Sequence, residues 1–306
     1  MRNLEKYKGI IPAFYSCYDE EGNISPRGVQ SLTRYFVEKG VKGVCVGGPF
    51  SECMYQSVAD RKIILENVML SARGRLTIIV HTACGNTTDS RELAAHAESL
   101  HADAIAAIPP FYFHLPEHAI ADYWNEISAA APDTDFLIYH IPELTGTSLT
   151  SGLFKEMLKN PRLTGVINAS MPVRDIEIFR QLSSDSCMIF NGCDQQFISG
   201  RIMGAEGAIG VTCVVMPELF VQMDTCLKNG EIHKAREIQY AVNEIISRLC
   251  SAKGTIYGVI KAVLKVNEGL ETGGVRKPLP ALTGEDMAVV KEAAFMIRAA
   301  KTAFLT

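Results

Sequence analysis

Eight short apolar runs recur along the chain, separated by amphipathic stretches, and this alternation constrains the fold more than any other feature. The runs begin at Gly9 (GIIPAFYS), Gly43 (GVCVGG), Leu76 (LTIIVHT) and Asp103 (DAIAAIP), then at Phe136 (FLIYHIP), Leu163 (LTGVIN), Met188 (MIFNG) and Gly207 (GAIGVT). Each is too short for a helix, and several are rich in Val and Ile, as in strands buried on both faces. Helix signals lie between them. Ser25-Pro26 gives an N-cap with Pro at the first helical position, Val29, Leu32 and Phe36 form one face, and Gly40 closes the helix. Ser57 caps a helix carrying Ile64 and Val68, and Asp89 with Glu92 reads as a capping box before Leu93, Ala97 and Leu100. Val173, Ile176, Phe179 and Leu182 repeat at helical spacing.

Eight such strand–helix units predict a (β/α)8 TIM barrel over residues 1–228. A doubly wound open sheet would want a glycine-rich phosphate loop after its first strand, whereas Tyr15-Ser16-Cys17-Tyr18 stands there. From residue 229 to 306 the pattern changes to three helical stretches, Glu231–Cys250, Thr255–Val266 and Gly284–Phe304, with a Gly/Pro-rich connector at Leu270–Leu282. This C-terminal helical extension is expected to pack on the barrel.

Charge and composition narrow the function. A net charge of -4 argues against nucleic acid as a partner. No apolar run reaches the about 18 residues of a membrane span, and the N-terminus carries charges where a signal peptide has its apolar core, so a cytoplasmic protein is expected. Nine scattered cysteines without a CxxC pair read as buried thiols.

In a barrel the chemistry sits where strands end. Those ends read Gly47-Gly48-Pro49-Phe50-Ser51-Glu52, His81-Thr82-Ala83-Cys84, Pro109-Pro110-Phe111-Tyr112, Tyr139-His140-Ile141-Pro142, Asn168-Ala169-Ser170, Asn191-Gly192-Cys193-Asp194 and Gly210-Val211-Thr212. With Thr145-Gly146, Gly204-Ala205 and Arg276-Lys277-Pro278, these motifs resemble the N-acetylneuraminate lyase and dihydrodipicolinate synthase family, nearer the N-acetylneuraminate lyase branch. The resemblance covers the whole chain. It implies a class I aldolase in which a lysine ending strand six forms an imine with a 2-keto acid, an electron sink for breaking a neighbouring C–C bond. It implies proton-handling roles for Tyr139 and for Tyr112, contributed by a neighbouring subunit in some members. It also implies substrate contacts at Gly48, Pro49, Phe50, Ser170, Gly192, Asp194 and Gly210. No cofactor or metal is implied, and the expected partners are a small acid or sugar acid and further copies of the chain, as a dimer or tetramer.

Two departures stand out. Asn168 occupies the position assigned to the imine lysine, and an amide nitrogen is not nucleophilic. Pro49 and Phe50 replace small hydroxylated residues that would grip the keto-acid carboxylate, each charge-assisted bond being worth about 1.5–3 kcal/mol. Val211 replaces a hydroxyl expected beside the sugar tail. The reading from sequence is therefore a lyase-family homologue unable to form the usual pyruvate imine, with altered or absent activity. An active C–C lyase on a 2-keto sugar acid is one alternative, and a non-catalytic binding or regulatory protein another.

Blander roles stand beside these. Asp194 can cap the helix that follows it, and Glu52 can be a supporting carboxylate rather than a base. His81, His140, Cys193 and Asp194 are metal-ligand types without a metal spacing. Cys53, Cys84 and Cys193 become nucleophiles only if one pairs with His81.

Overall fold

The computed structural model describes residues 4–184 and 186–305. Eight parallel strands form the barrel: β1 (Gly9–Ile10), β2 (Gly43–Val46), β3 (Thr77–His81), β4 (Ala104–Ala107), β5 (Asp135–His140), β6 (Leu163–Asn168), β7 (Met188–Asn191) and β8 (Gly207–Ala208). Each pairs with its sequence neighbour from β2 to β8, and β8 pairs with β1. The ring closes between β1 and β2 through Lys42 N–H to the Ile10 carbonyl, Cys45 N–H to the Pro12 carbonyl and Phe14 N–H to the Cys45 carbonyl. The fold is a (β/α)8 TIM barrel with a C-terminal helical extension.

The helices are α1 (Pro26–Glu38), α2 (Val58–Ala72), α3 (Thr87–Ser99), α4 (Glu117–Ala129), α5 (Pro142–Thr145), α6 (Ser151–Met157), α7 (Arg174–Ser183), α8 (Phe197–Ile202) and α9 (Pro217–Lys228). The extension adds α10 (Ile232–Leu249), α11 (Ile256–Glu268) and α12 (Asp286–Phe304). Helix α10 packs on α8 and α9, α12 packs on α9, α10 and α11, and α11 reaches the turn after β8.

Local chemistry explains most boundaries. Ser25 Oγ accepts from Gly28 N–H at the start of α1, and Ser57 with Asp60 forms a reciprocal capping box on α2. The first and last strands are shorter than their apolar runs, and in the first run Pro12 has no N–H to donate. The cap of α3 also differs from the sequence reading. Asn86, and not Asp89, is the N-cap, its side chain accepting from the Asp89 backbone N–H at 2.8 Å. Asn86→Ala is therefore expected to lower stability by about 1 kcal/mol. Asp89→Ala keeps the cap bond and should cost less, as denaturant midpoints of the two variants would show.

Candidate active site at the barrel mouth

The loop after β2 forms one wall of the mouth. Gly47 takes a positive φ of 73°, and a 3-10 turn over Pro49–Ser51 leads into Glu52, itself left-handed at φ 62°. Ser51 Oγ accepts from Gly47 N–H at 3.1 Å and donates to the Phe14 carbonyl, locking the turn against the barrel rim. Phe50 stacks on Tyr257 of α11, with centroids 5.8 Å apart and planes inclined 26°. The extension thus supplies part of the mouth.

Glu52 secures that arrangement. One carboxylate oxygen accepts from Lys261 Nζ at 2.7 Å and the other from Arg276 N–H at 2.7 Å. Lys261 also donates to the Gly274 carbonyl at 2.6 Å and lies 4.5 Å from the Tyr18 ring centroid. The paired side chains are 1% and 0% exposed. Burial pushes the Lys261 ammonium below its ordinary value, partly offset by Glu52. Glu52 therefore ties loop to extension, the supporting role rather than that of a free base. From the sequence, Lys261 is assigned to the appended helices and away from the strand ends, and its contact with the β2 loop is legible only in a lone lysine inside the apolar helical run Ile256–Leu264.

Tyr139 lies edge-on to His81, with centroids 6.0 Å apart. The two come from β5 and β3 with β4 between them, so both rings face the barrel axis. A Cβ on Gly48 would stand 3.7 Å from the Tyr139 ring, placing the β2 loop over the phenol. Burial raises the Tyr139 phenol well above its ordinary value, so it holds its proton. Burial, together with the Arg61 guanidinium, lowers His81 to about 3. His81 Nδ1 donates to the Gly47 carbonyl at 2.9 Å, and Nε2 is buried without a partner.

Strand register decides what stands beside Tyr139. Tyr139 pairs with Ile167, and His140 pairs with Asn168. Alternation sends Tyr139 and Ile167 to the axis, and His140 and Asn168 to the helix layer. Side-chain contacts agree. His140 packs edge-on against Phe179 of α7 at 5.6 Å, and its Nδ1 donates to Asn168 Oδ1 at 2.8 Å. Ser170 Oγ lies 3.0 Å from the same oxygen and 2.7 Å from Asp175 of α7. The placement of Asn168 beside Tyr139 is thereby corrected: the inward residue at that level is Ile167, and neither side chain carries an amine. Asn168, His140 and Ser170 form a small polar network outside the barrel wall.

Asp194 is buried. Its Oδ2 accepts from Val211 N–H (2.9 Å), Thr212 N–H (2.6 Å) and the Thr212 hydroxyl (2.7 Å). Burial still raises its carboxyl above the ordinary value, against those bonds. It ties the β7 loop to the turn after β8, whereas the N-cap of α8 is Gln196, so the capping of the following helix is also corrected. A Cβ on Gly210 would fall 2.0 Å from Asp194 Oδ1, so only glycine fits there.

A cavity of about 190 Å³ opens at this end, bounded by Phe50, Ala169, Gly192, Cys193, Asp194 and Val211 among others. Tyr112 stands apart from it, 86% exposed, at φ 76° and edge-on to Phe113. Among the described residues no group of three His, Cys, Asp or Glu side chains is placed to hold a metal. The thiols of Cys53 and Cys193 are pushed up to about 11 and that of Cys84 is also raised, all mainly by burial, which disfavours the thiolate a nucleophile needs.

The profile of the dihydrodipicolinate synthetase family matches residues 6–295. The chain belongs to that family. It is 66% identical over 305 residues to an N-acetylneuraminate lyase from Mediterraneibacter gnavus, covering 100% of this chain and 97% of the relative. It is 33% identical over 290 residues to the N-acetylneuraminate lyase of Rhizobium meliloti, covering 94% of each. Among solved structures it superposes on wild-type Ruminococcus gnavus sialic acid aldolase with a TM-score of 0.97, at 65% identity over 98% of this chain and 99% of that one. A catalytic lysine mutant of the same aldolase gives 0.99 at 66% identity, over 99% and 100%. Likeness of this extent to a curated lyase overturns the expectation of a homologue with altered or absent activity, and favours the active-lyase alternative.

The buried pair and ring predict two outcomes. Lys261→Met should cost about 3–5 kcal/mol by leaving Glu52 charged and unpaired, and Glu52→Gln with Lys261→Met together should cost less than the two single changes summed, read by chemical denaturation. The unfolded chain takes up a proton at His81 near 6.5, the native ring only near 3. Stability should therefore fall as pH drops through that window, with no contribution from this ring above it. Imidazole NMR from pH 5 to 8 should show His81 neutral and not titrating.

Proposed function

We propose that the chain is a carbon–carbon lyase that cleaves a 2-keto sugar acid of the N-acetylneuraminate kind and releases pyruvate. The observation that carries the reading is 66% identity along the whole chain to a curated N-acetylneuraminate lyase. The barrel mouth supports it, with a buried phenol at Tyr139 beneath the β2 loop and a cavity beside Asp194. In such a cleavage the hydroxyl on the carbon β to the ketone loses its proton, the C–C electrons move into the keto-acid fragment, and that fragment is reprotonated. Tyr139 is the group we assign to proton handling. Gly48, Pro49, Phe50, Gly192, Asp194 and Gly210 build the walls that would meet the substrate, while Asn168 and Ser170 support them from behind.

An imine sink requires an amine. Ile167 and Asn168 have none, and Lys261 is the one buried lysine among the described residues. We further propose a cytoplasmic homo-oligomer, dimer or tetramer. Support comes from the resemblance and from the exposed apolar side chains of Tyr112, Phe113 and Leu115. No helix among the described residues is long and apolar enough to cross a membrane.

Pyruvate release from N-acetylneuraminate, followed with a lactate dehydrogenase couple, tests the reading. Release above the uncatalysed blank is expected, with kcat of Tyr139→Phe lower by about 10²-fold or more. No release at high protein concentration overturns it. Borohydride reduction with pyruvate, followed by peptide mass mapping, locates the sink. A lysine adduct names the amine, and release without an adduct assigns the cleavage to a route free of an imine.

A further inference from the structure

At the end of the barrel opposite the mouth, where the strands begin, a cavity of about 690 Å³ is far larger than the one beside Asp194. That volume lies within the range of small-molecule sites. Its cations differ in how far they are neutralised. Lys6 is shared between Asp103 (3.3 Å) and Asp135 (3.5 Å). Lys228 is held by Asp224 at 2.7 Å, and Lys8 lies between Glu5 and Glu206. Lys42 and Arg75 have no carboxylate partner among the described residues. Arg75 reaches only backbone carbonyls, Nε to Ala72 at 3.2 Å and Nη2 to Ser71 at 3.0 Å, leaving Nη1 free.

Their backbones are neighbours by construction. Lys42 precedes β2 and Arg75 precedes β3, and Thr77 N–H donates to the Lys42 carbonyl across the two strand starts at 3.1 Å. His101, left-handed at φ 58° ahead of β4, stands on the same rim. Two cations without a carboxylate partner, both lining one roomy polar cavity, give that end a local positive charge that favours an anion. A phosphoryl group, with several anionic oxygens, suits the free Nη1 of Arg75 and a second cation better than a single carboxylate does.

We propose that this cavity is a second binding site, for a small phosphate-bearing metabolite whose phosphoryl group lies between Lys42 and Arg75. The site shares no residue with the mouth cavity and stands independently of the reaction there.

Inorganic pyrophosphate is the probe, titrated into the full chain by calorimetry at low and moderate salt. One saturable site is expected, weakening several-fold as salt rises. Lys42→Ala and Arg75→Ala should each weaken it by about tenfold. Arg75 also caps the end of α2, so Lys42→Glu, at an exposed position, provides a variant independent of folding and should abolish binding. The absence of saturable binding, or binding unchanged in Lys42→Glu, overturns the proposal.

Discussion

Parallel pairing of β5 with β6 fixes what the barrel can present at its mouth. Backbone bonds set Tyr139 against Ile167 and His140 against Asn168, and the pleat then divides the two pairs between opposite faces of one wall. A shift of one residue would exchange them, bringing a polar amide and an imidazole to the axis and a phenol into the helix layer. The register is held by the burial it produces. Phe179 of α7 closes over His140 on one side, and His81 packs against Tyr139 on the other.

The mouth is built from two parts of the chain that are distant in sequence. The loop after β2 supplies Pro49 and Phe50, and α11 supplies Tyr257 and Lys261, 209 residues from Glu52. Aromatic stacking alone would leave the loop free to slide. A fully buried ion pair with both carboxylate oxygens occupied fixes its position, since moving either charge away from its partner means desolvation without compensation. Asp194 plays the matching part on the far side, drawing the chain after β8 toward β7 through three hydrogen bonds.

Much of this was legible in the sequence. Eight apolar runs gave the barrel because doubly buried strands cannot hide their composition, and Ser25 and Ser57 gave helix starts because capping is local chemistry. The family followed from motifs spread over the whole chain. What escaped was set by register and by distance. Asn168 and Ile167 are neighbours in sequence, so one residue of alignment decides which faces the axis, and no local signal separates an outward amide from an inward one. The Asn86 cap was lost to Asp89 because both are good capping residues three positions apart. The Glu52–Lys261 pair joins residues that no local window contains. The expectation of lost activity came from reading single positions, and identity over the full length of a curated lyase outweighed it.

The Lys261–Glu52 pair also bears on modularity. A barrel that carried its own mouth could exchange or shed its trailing helices as an accessory. Here a cut near residue 228 separates the Glu52 carboxylate from the Lys261 ammonium that pairs with it. Barrel and tail are thus bound to travel together in any recombination of the fold, and a chimaera joined at that boundary would inherit a wall without its anchor.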